Sequence, residues 1–188
     1  MYNPKIDITK VYLETERLIL RPFLLSDLDD FYAYACVPGV GECAGWPHHE
    51  NIETSRQILH LFITGKKTFA IVLKANNQVI GSIGIEKSHF PRSYFPKRSV
   101  RELGYVLSQD YWGQGLMSEA VKRVITYCFN DLHLDYLTIG HFKGNHRSQR
   151  VIEKMGFIYQ YTGTYQTQMG TMIKENLCYL LVNPHLNK

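Results

Sequence analysis

The chain has 188 residues, of which 45% are hydrophobic and 20% charged, with thirteen Tyr and nine Phe. That is enough for one domain with a sizeable core, and too aromatic for a disordered chain. The formal charge of +4 is spread along the sequence without a Lys/Arg run. This argues against a nucleic-acid-binding stripe and suits an anionic small molecule or an acidic partner.

The four cysteines, Cys36, Cys43, Cys128 and Cys178, form no C-x-x-C pair, and Met1-Tyr2-Asn3-Pro4 does not open a signal peptide. They read as free thiols in a reducing compartment, so a cytoplasmic protein is expected. No apolar run is long enough to span a bilayer.

In chain order, Glu16 to Pro22 reads as a strand, with Leu18 and Leu20 alternating against Arg17, Ile19 and Arg21. Ser26 is placed to cap a helix running to about Ala35, with Asp27 at its positive end. Residues 37–49 form a Gly/Pro-rich loop carrying Trp46-Pro47-His48-His49. Asn51 or Glu53 opens a second helix, with Ile58, Leu61 and Phe62 at helical spacing and Gly65 as its stop. Strands over 68–73 and 79–86 are joined by a turn at Ala75-Asn76-Asn77-Gln78, and 88–99 is a loop.

A strand over 100–107 then runs through a Gly-rich turn into a helix over 116–130, whose stripe of Met117, Ala120, Val121, Val124, Ile125 and Cys128 predicts a buried face. A strand over 134–141 and a helix over 145–155, stopped by Gly156, follow. Strands over 157–168 and 171–182, with a turn at Met169-Gly170, complete the chain. With no repeat or linker, residues 1–188 read as one mixed α/β domain.

The informative stretch is Glu102-Leu103-Gly104-Tyr105-Val106-Leu107, then Tyr111-Trp112-Gly113-Gln114-Gly115-Leu116-Met117-Ser118-Glu119-Ala120. The first N–H groups of a helix lack acceptors and face outward at the positive end of its dipole. Glycines at 113 and 115 let the backbone approach an anion closely, which is how a pyrophosphate is bound without a basic side chain. A lone G-x-G is equally an ordinary tight turn. It lacks the third glycine of a dinucleotide fingerprint and the Gly-Lys-Ser/Thr ending of a P-loop.

Three stretches together resemble the GNAT superfamily, and within it the Rim-type branch that acetylates N-termini of ribosomal proteins. They are Glu14-Thr15-Glu16-Arg17-Leu18-Ile19-Leu20-Arg21-Pro22, the segment just described, and Gly144-Asn145-His146-Arg147-Ser148 ending in Glu153-Lys154-Met155-Gly156-Phe157. The resemblance implies a single-domain, mostly antiparallel mixed sheet of about seven strands and about four helices, whose fourth and fifth strands splay apart. Acetyl-CoA would lie in that gap, its pantetheine arm pairing with backbone groups near Val106 and Leu107. Its diphosphate would rest on Gly113, Gln114, Gly115, Leu116, Met117 and Ser118. No metal is implied. The family's loop usually ends in Gly or Ala where this chain has Met117, which would add bulk beside the diphosphate.

The resemblance also implies the site roles. Many GNAT enzymes use a Tyr as acid where this chain has Ile152. Ser148 is therefore expected to hydrogen-bond the coenzyme sulfur, and Asn145 to touch the pantetheine arm, to cap its helix, or both. Glu102 is the candidate base, directly or through a water, or else an exposed carboxylate. Trp46 is expected either to shape the acceptor pocket or to sit in the core. One of Lys143, Arg147 and Arg150 could meet the 3′-phosphate. His48, His49, Cys36 and Cys43 fit no metal-ligand spacing. The loop Phe90–Arg98 could serve as a substrate lid or as a homodimer contact. The acceptor is a protein N-terminus or a small amine, and a CoA-binding module without turnover is the non-enzymatic alternative.

Overall fold

The computed structural model describes residues 4–166 and 173–186; the expected turn at Met169-Gly170 lies outside them. One sheet runs through these residues: β1 (Leu13–Glu14), β2 (Leu18–Pro22), β3 (Thr68–Leu73), β4 (Gln78–Glu86), β5 (Val100–Leu107), β6 (Tyr136–Phe142), β7 (Ile158–Gln166) and β8 (Ile173–Val182). Its order is β1-β2-β3-β4-β5-β6-β8-β7. Every neighbouring pair is antiparallel except β5–β6, which is parallel. The expected count of about seven becomes eight because the two-residue β1 pairs with β2.

Among the described residues, four α-helices cover the two faces: α1 (Leu28–Ala35), α2 (Ile52–Gly65), α3 (Leu116–Asn130) and α4 (His146–Lys154). The α3 stripe forms the main core with β2, β4, β5 and β6, through Leu18, Ile83, Leu103, Val121, Val124 and Ile139 among others. On the opposite face α1 and α2 bury Phe31, Tyr34 and Leu59 against Ala70, Val72 and Val79. Cys128 lies in the main core as its place on the stripe predicts.

Local boundaries differ from expectation where side-chain chemistry overrides residue preference. Ser26 caps nothing. A short 3₁₀ turn over Leu25–Asp27 precedes α1, closed by Asp27, whose Oδ2 accepts the Leu24 N–H at 2.8 Å. The same carboxylate accepts two bonds from Arg21, at 2.7 and 2.8 Å, and is only 5% exposed. A buried carboxylate needs such a forked partner. Asn51 caps α2, accepting the Thr54 N–H at 3.0 Å. The left-handed residue ending α2 is Lys66, with φ 56°, rather than Gly65. β6 begins at Tyr136, two residues later than the pattern suggests.

Helix α4 is short and strongly polar, so its attachment depends on few apolar residues. Ile152, fully buried, is the chief one. Ile152→Ala is expected to cost about 2–5 kcal/mol through the cavity it leaves. This should read as a lower denaturant midpoint at unchanged slope.

Candidate active site

The parallel pairing of β5 with β6 lasts four residue pairs, from Val100↔Tyr136 to Leu103↔Ile139. Beyond it β5 continues along β4 to Leu107, and β6 continues along β8 to Phe142. The two central strands therefore splay, as the resemblance implied. The antiparallel ladder alternates its bonding direction residue by residue. The Ser108 N–H donates to Ile80 O at 2.7 Å, so in steps of two Val106, Gly104 and Glu102 turn their backbone groups toward β4. Those of Tyr105 and Leu107 turn toward the gap. The Leu107 carbonyl there accepts the Trp112 indole N–H at 2.9 Å. Val106, also expected at the gap, stands opposite Ser82 in the ladder.

Side chains alternate too. Leu103, Tyr105 and Leu107 face α3 and α4, while Val106 packs on the α1–α2 side. A cleft of about 1100 Å³ passes through the splay and reaches both faces.

At the end of β5 the chain turns through Gly113 and Gly115, with φ of 78° and 77°, into α3. No side chain caps this helix, whose first internal bond runs from the Glu119 N–H to Gly115 O at 3.1 Å. The N–H groups of Leu116, Met117 and Ser118 have no helical acceptor. Nothing lies within 4 Å of where a Gly113 side chain would begin. The Met117 side chain does not crowd this turn: it is 6% exposed, packed into the main core. Helix periodicity carries it inward while its N–H stays at the helix end.

The turn is anchored by Glu119 of the same run and by Thr15 and Arg17 of the first motif stretch, to which the sequence assigned no site role. Glu119 receives the Arg17 side chain at 2.7–2.8 Å, the Arg17 N–H at 2.9 Å and the Thr15 hydroxyl at 2.5 Å. Arg17 also donates to the Gln114 carbonyl at 3.0 Å. Burial alone would raise the Glu119 carboxyl, but the Thr15 and Arg17 bonds hold it below its ordinary value.

On the α3–α4 face, Ser148 Oγ lies 2.9 Å from the Tyr105 hydroxyl. Burial pushes that phenol up to about 12, against the opposing effect of the Ser148 bond. Asn145 caps α4, accepting the Ser148 N–H at 3.2 Å, and its amide reaches Cys43 O at 3.5 Å. The cap and the cleft-facing position coexist in one side chain. Arg147 lies over the Trp112 ring at 3.8 Å from its centroid, a cation–π contact worth about 1 kcal/mol. Arg147 and Arg150 line the cleft. Lys143 instead pairs with Glu175 at 2.7 Å.

On the other face stands Glu102, with His89 beside it. The His89 N–H donates to Oε2 at 2.9 Å, and its ring Nδ1 lies 3.0 Å from Oε1. The Thr138 hydroxyl is 3.2 Å from Oε2. The Glu102 hydrogen bond raises the His89 titration above its ordinary value, against burial. Trp46 lines this end of the cleft while packing on the α1–α2 core. His89 carried no signal in the sequence. It lies three residues past the end of β4, and only the Glu86↔Glu102 register brings it to Glu102.

The Trp46 loop is held by Glu42, which accepts from the Gly39 N–H at 2.7 Å and from the His48 ring and N–H at 2.8 and 3.1 Å. Burial opposes this, but the hydrogen bonds bring the Glu42 carboxyl down to about 2. His49 bonds Ser55 at 2.7 Å. Among the described residues no His/Cys/Asp/Glu cluster could hold a metal, and no helix is long and apolar enough to cross a membrane. Phe90 and Phe95 are buried against Tyr136 and Tyr161. Their loop packs as a small satellite core.

Gly115→Ala places a side chain in the left-handed region, at about 1–2 kcal/mol. It is expected to weaken acetyl-CoA binding about tenfold by titration calorimetry. Met117→Ala should cost about 2–5 kcal/mol of stability without changing that affinity. Glu42→Gln should destabilise the fold at neutral pH. A depressed carboxyl contributes stability above its unfolded value and loses it as pH falls through the folded one. The gap between wild type and Glu42→Gln should therefore close between about pH 4.5 and 2 in thermal unfolding.

The acetyltransferase (GNAT) domain family matches residues 17–158. YoaA of Bacillus subtilis (strain 168), an uncharacterized N-acetyltransferase, is 29% identical over 180 residues, covering 92% of this chain and 97% of that protein. The ribosomal-protein-S5-alanine acetyltransferase of Vibrio fischeri superposes with a TM-score of 0.72 at 20% identity, covering 95% and 100% of the two chains. The microcin C7 self-immunity acetyltransferase MccE, solved with acetyl-CoA and AMP, superposes at 0.73 with 15% identity, covering 89% and 93%. With the splayed strands, the open helix end and the family match together, the chain belongs to the GNAT family and is an acetyl-CoA-dependent N-acetyltransferase.

Proposed function

We propose that this enzyme acetylates the free amine at a protein or peptide N-terminus, by direct attack in a ternary complex. The observation that carries the reading is the cleft through the sheet, which has neutral hydroxyl donors on one face and a carboxylate on the other. Similarity to a ribosomal-protein acetyltransferase supports the choice of acceptor.

The residues suit acetyl-CoA, which supplies the thioester. The uncapped α3 end and its two left-handed glycines fit a diphosphate. The Tyr105 backbone and the Leu107 N–H, turned toward the gap, fit an extended amide chain lying beside β5. The Leu107 N–H is the donor best placed for charge developing on a carbonyl oxygen. Arg147 and Arg150 provide cations at the cleft rim.

Tyr105 and Ser148 supply hydrogen bonds rather than protons. A thiol titrates near ~8.5, so proton transfer from a phenol at about 12 to a thiolate would run uphill by about 5 kcal/mol. Tyr105 holds the Ser148 hydroxyl, and that hydroxyl stabilises charge on sulfur. On the opposite face the polar group centred on Glu102 handles the amine proton. An α-amine near ~7.8 is about 15% neutral at pH 7, against about 0.04% for a lysine amine. A site with modest base assistance therefore suits an N-terminus. The free thiols of the described residues suit a reducing, cytoplasmic setting.

The test is release of coenzyme A thiol with a panel of N-terminal peptides and small amines. Turnover confined to peptides is expected. Turnover confined to small amines would overturn the acceptor assignment, and none with any amine would overturn turnover itself. Ser148→Ala should lower kcat about tenfold, the loss of one hydrogen bond to a charged group. Glu102→Gln should lower kcat further.

A further inference from the structure

We infer that the group accepting the amine proton is His89, with Glu102 as the residue that positions it. The inference rests on the acetyl-transfer reading above and concerns the base within it. Both Glu102 oxygens already face donors: Oε1 the His89 ring, and Oε2 the His89 N–H and the Thr138 hydroxyl. The carboxylate is only 19% exposed, whereas the His89 side chain is 66% exposed on the cleft wall.

The ring is fixed at two points. Its own backbone N–H and its Nδ1 both bond one carboxylate, and it makes a T-shaped contact with the Tyr165 ring at 5.9 Å between centroids. With Nδ1–H directed at Glu102, the neutral ring carries its lone pair on Nε2, at the opposite edge. A carboxylate that orients an imidazole and stabilises its protonated form is a general design for a base working near neutral pH.

The charged surroundings favour it. Glu102 on β5 and Glu86 on β4 both raise the His89 titration, and Glu86 is itself paired with Lys67. Lys87 also lines this part of the cleft, and Tyr165 is the titratable group facing the ring from β7. Tyr161 and Cys178, which sense Glu102 from β7 and β8, are pushed up, first by burial. Both stay neutral at working pH and do not compete for the proton.

The step balances simply. The amine nitrogen bonds to the acetyl carbon, the C–S bond breaks with its electron pair passing to sulfur, and the proton shed by nitrogen goes to His89 Nε2. Solvent removes it from the exposed ring. Gly104, between Glu102 and Val106 on the same face, has nothing within 4 Å of where its side chain would begin. The acceptor thus has a bare strand to lie on beside the ring.

Two measurements test this. The first is the ring titration of His89 by nitrogen-15 NMR in wild type and Glu102→Gln, assigned with His89→Gln. His89 is expected above ~6.5 in wild type and lower in Glu102→Gln. The second is kcat/KM for an alanyl peptide from about pH 5.5 to 9, divided by its neutral-amine fraction. The remaining rising limb should follow His89, move to lower pH in Glu102→Gln and vanish in His89→Gln. In His89→Gln, kcat should fall about 100-fold with KM for acetyl-CoA unchanged. A limb that survives in His89→Gln, or a His89 titration indifferent to Glu102→Gln, would overturn the inference alone. No turnover with any amine would overturn the acetyl-transfer reading and the inference with it.

Discussion

Everything at this site follows from a parallel pairing that stops after four residues. β5 stays paired with β4 as far as Leu107 and β6 with β8 as far as Phe142, and the two ladders diverge because each follows its antiparallel partner. Backbone N–H and C=O groups in the middle of a sheet need partners. Trp112 satisfies one of them, the Leu107 carbonyl. The others open onto the cleft. The same divergence lets the cleft reach both faces, which a closed sheet would separate.

The two faces carry different electrostatics because β5 alternates. On the α3–α4 side the polar groups are hydroxyls, Tyr105 on Ser148, in a largely apolar wall. On the other side the carboxylate of Glu102 is surrounded by His89 and Thr138. Neutral donors suit charge that appears on oxygen and sulfur during transfer. A carboxylate–imidazole pair suits a proton that must leave an ammonium-like nitrogen. The Gly113–Gly115 turn leaves the first N–H groups of α3 open at the end of β5. The Arg17–Glu119 network holds that turn without occupying those N–H groups.

Much of this was legible in the sequence because the signals are local. The buried stripe of α3 is set by residues three and four apart, and all its members pack as the spacing implies. The strand–glycine–helix run from Glu102 to Ala120 gave the open helix end, and Asn145 gave both the cap and the cleft position. The departures came from where side chains find partners and point, which residue type alone does not declare. Asp27 closed the turn before α1 because Arg21, on the neighbouring strand, reached it. Met117 was expected both on the buried stripe and as bulk beside the diphosphate, and its side chain follows the stripe inward.

The sequence by itself determined the α/β class, the family, the order of elements and the glycine turn into an uncapped helix, since each rests on periodicity or on residues a few positions apart. Only the tertiary structure decided that Arg17 braces that turn across 102 residues to Glu119, that Tyr105 meets Ser148 across 43, and that His89 is the companion of Glu102. Those pairings depend on strand register and on where β5 leaves β6. Register is a property of the whole sheet, so no local pattern in the chain records it.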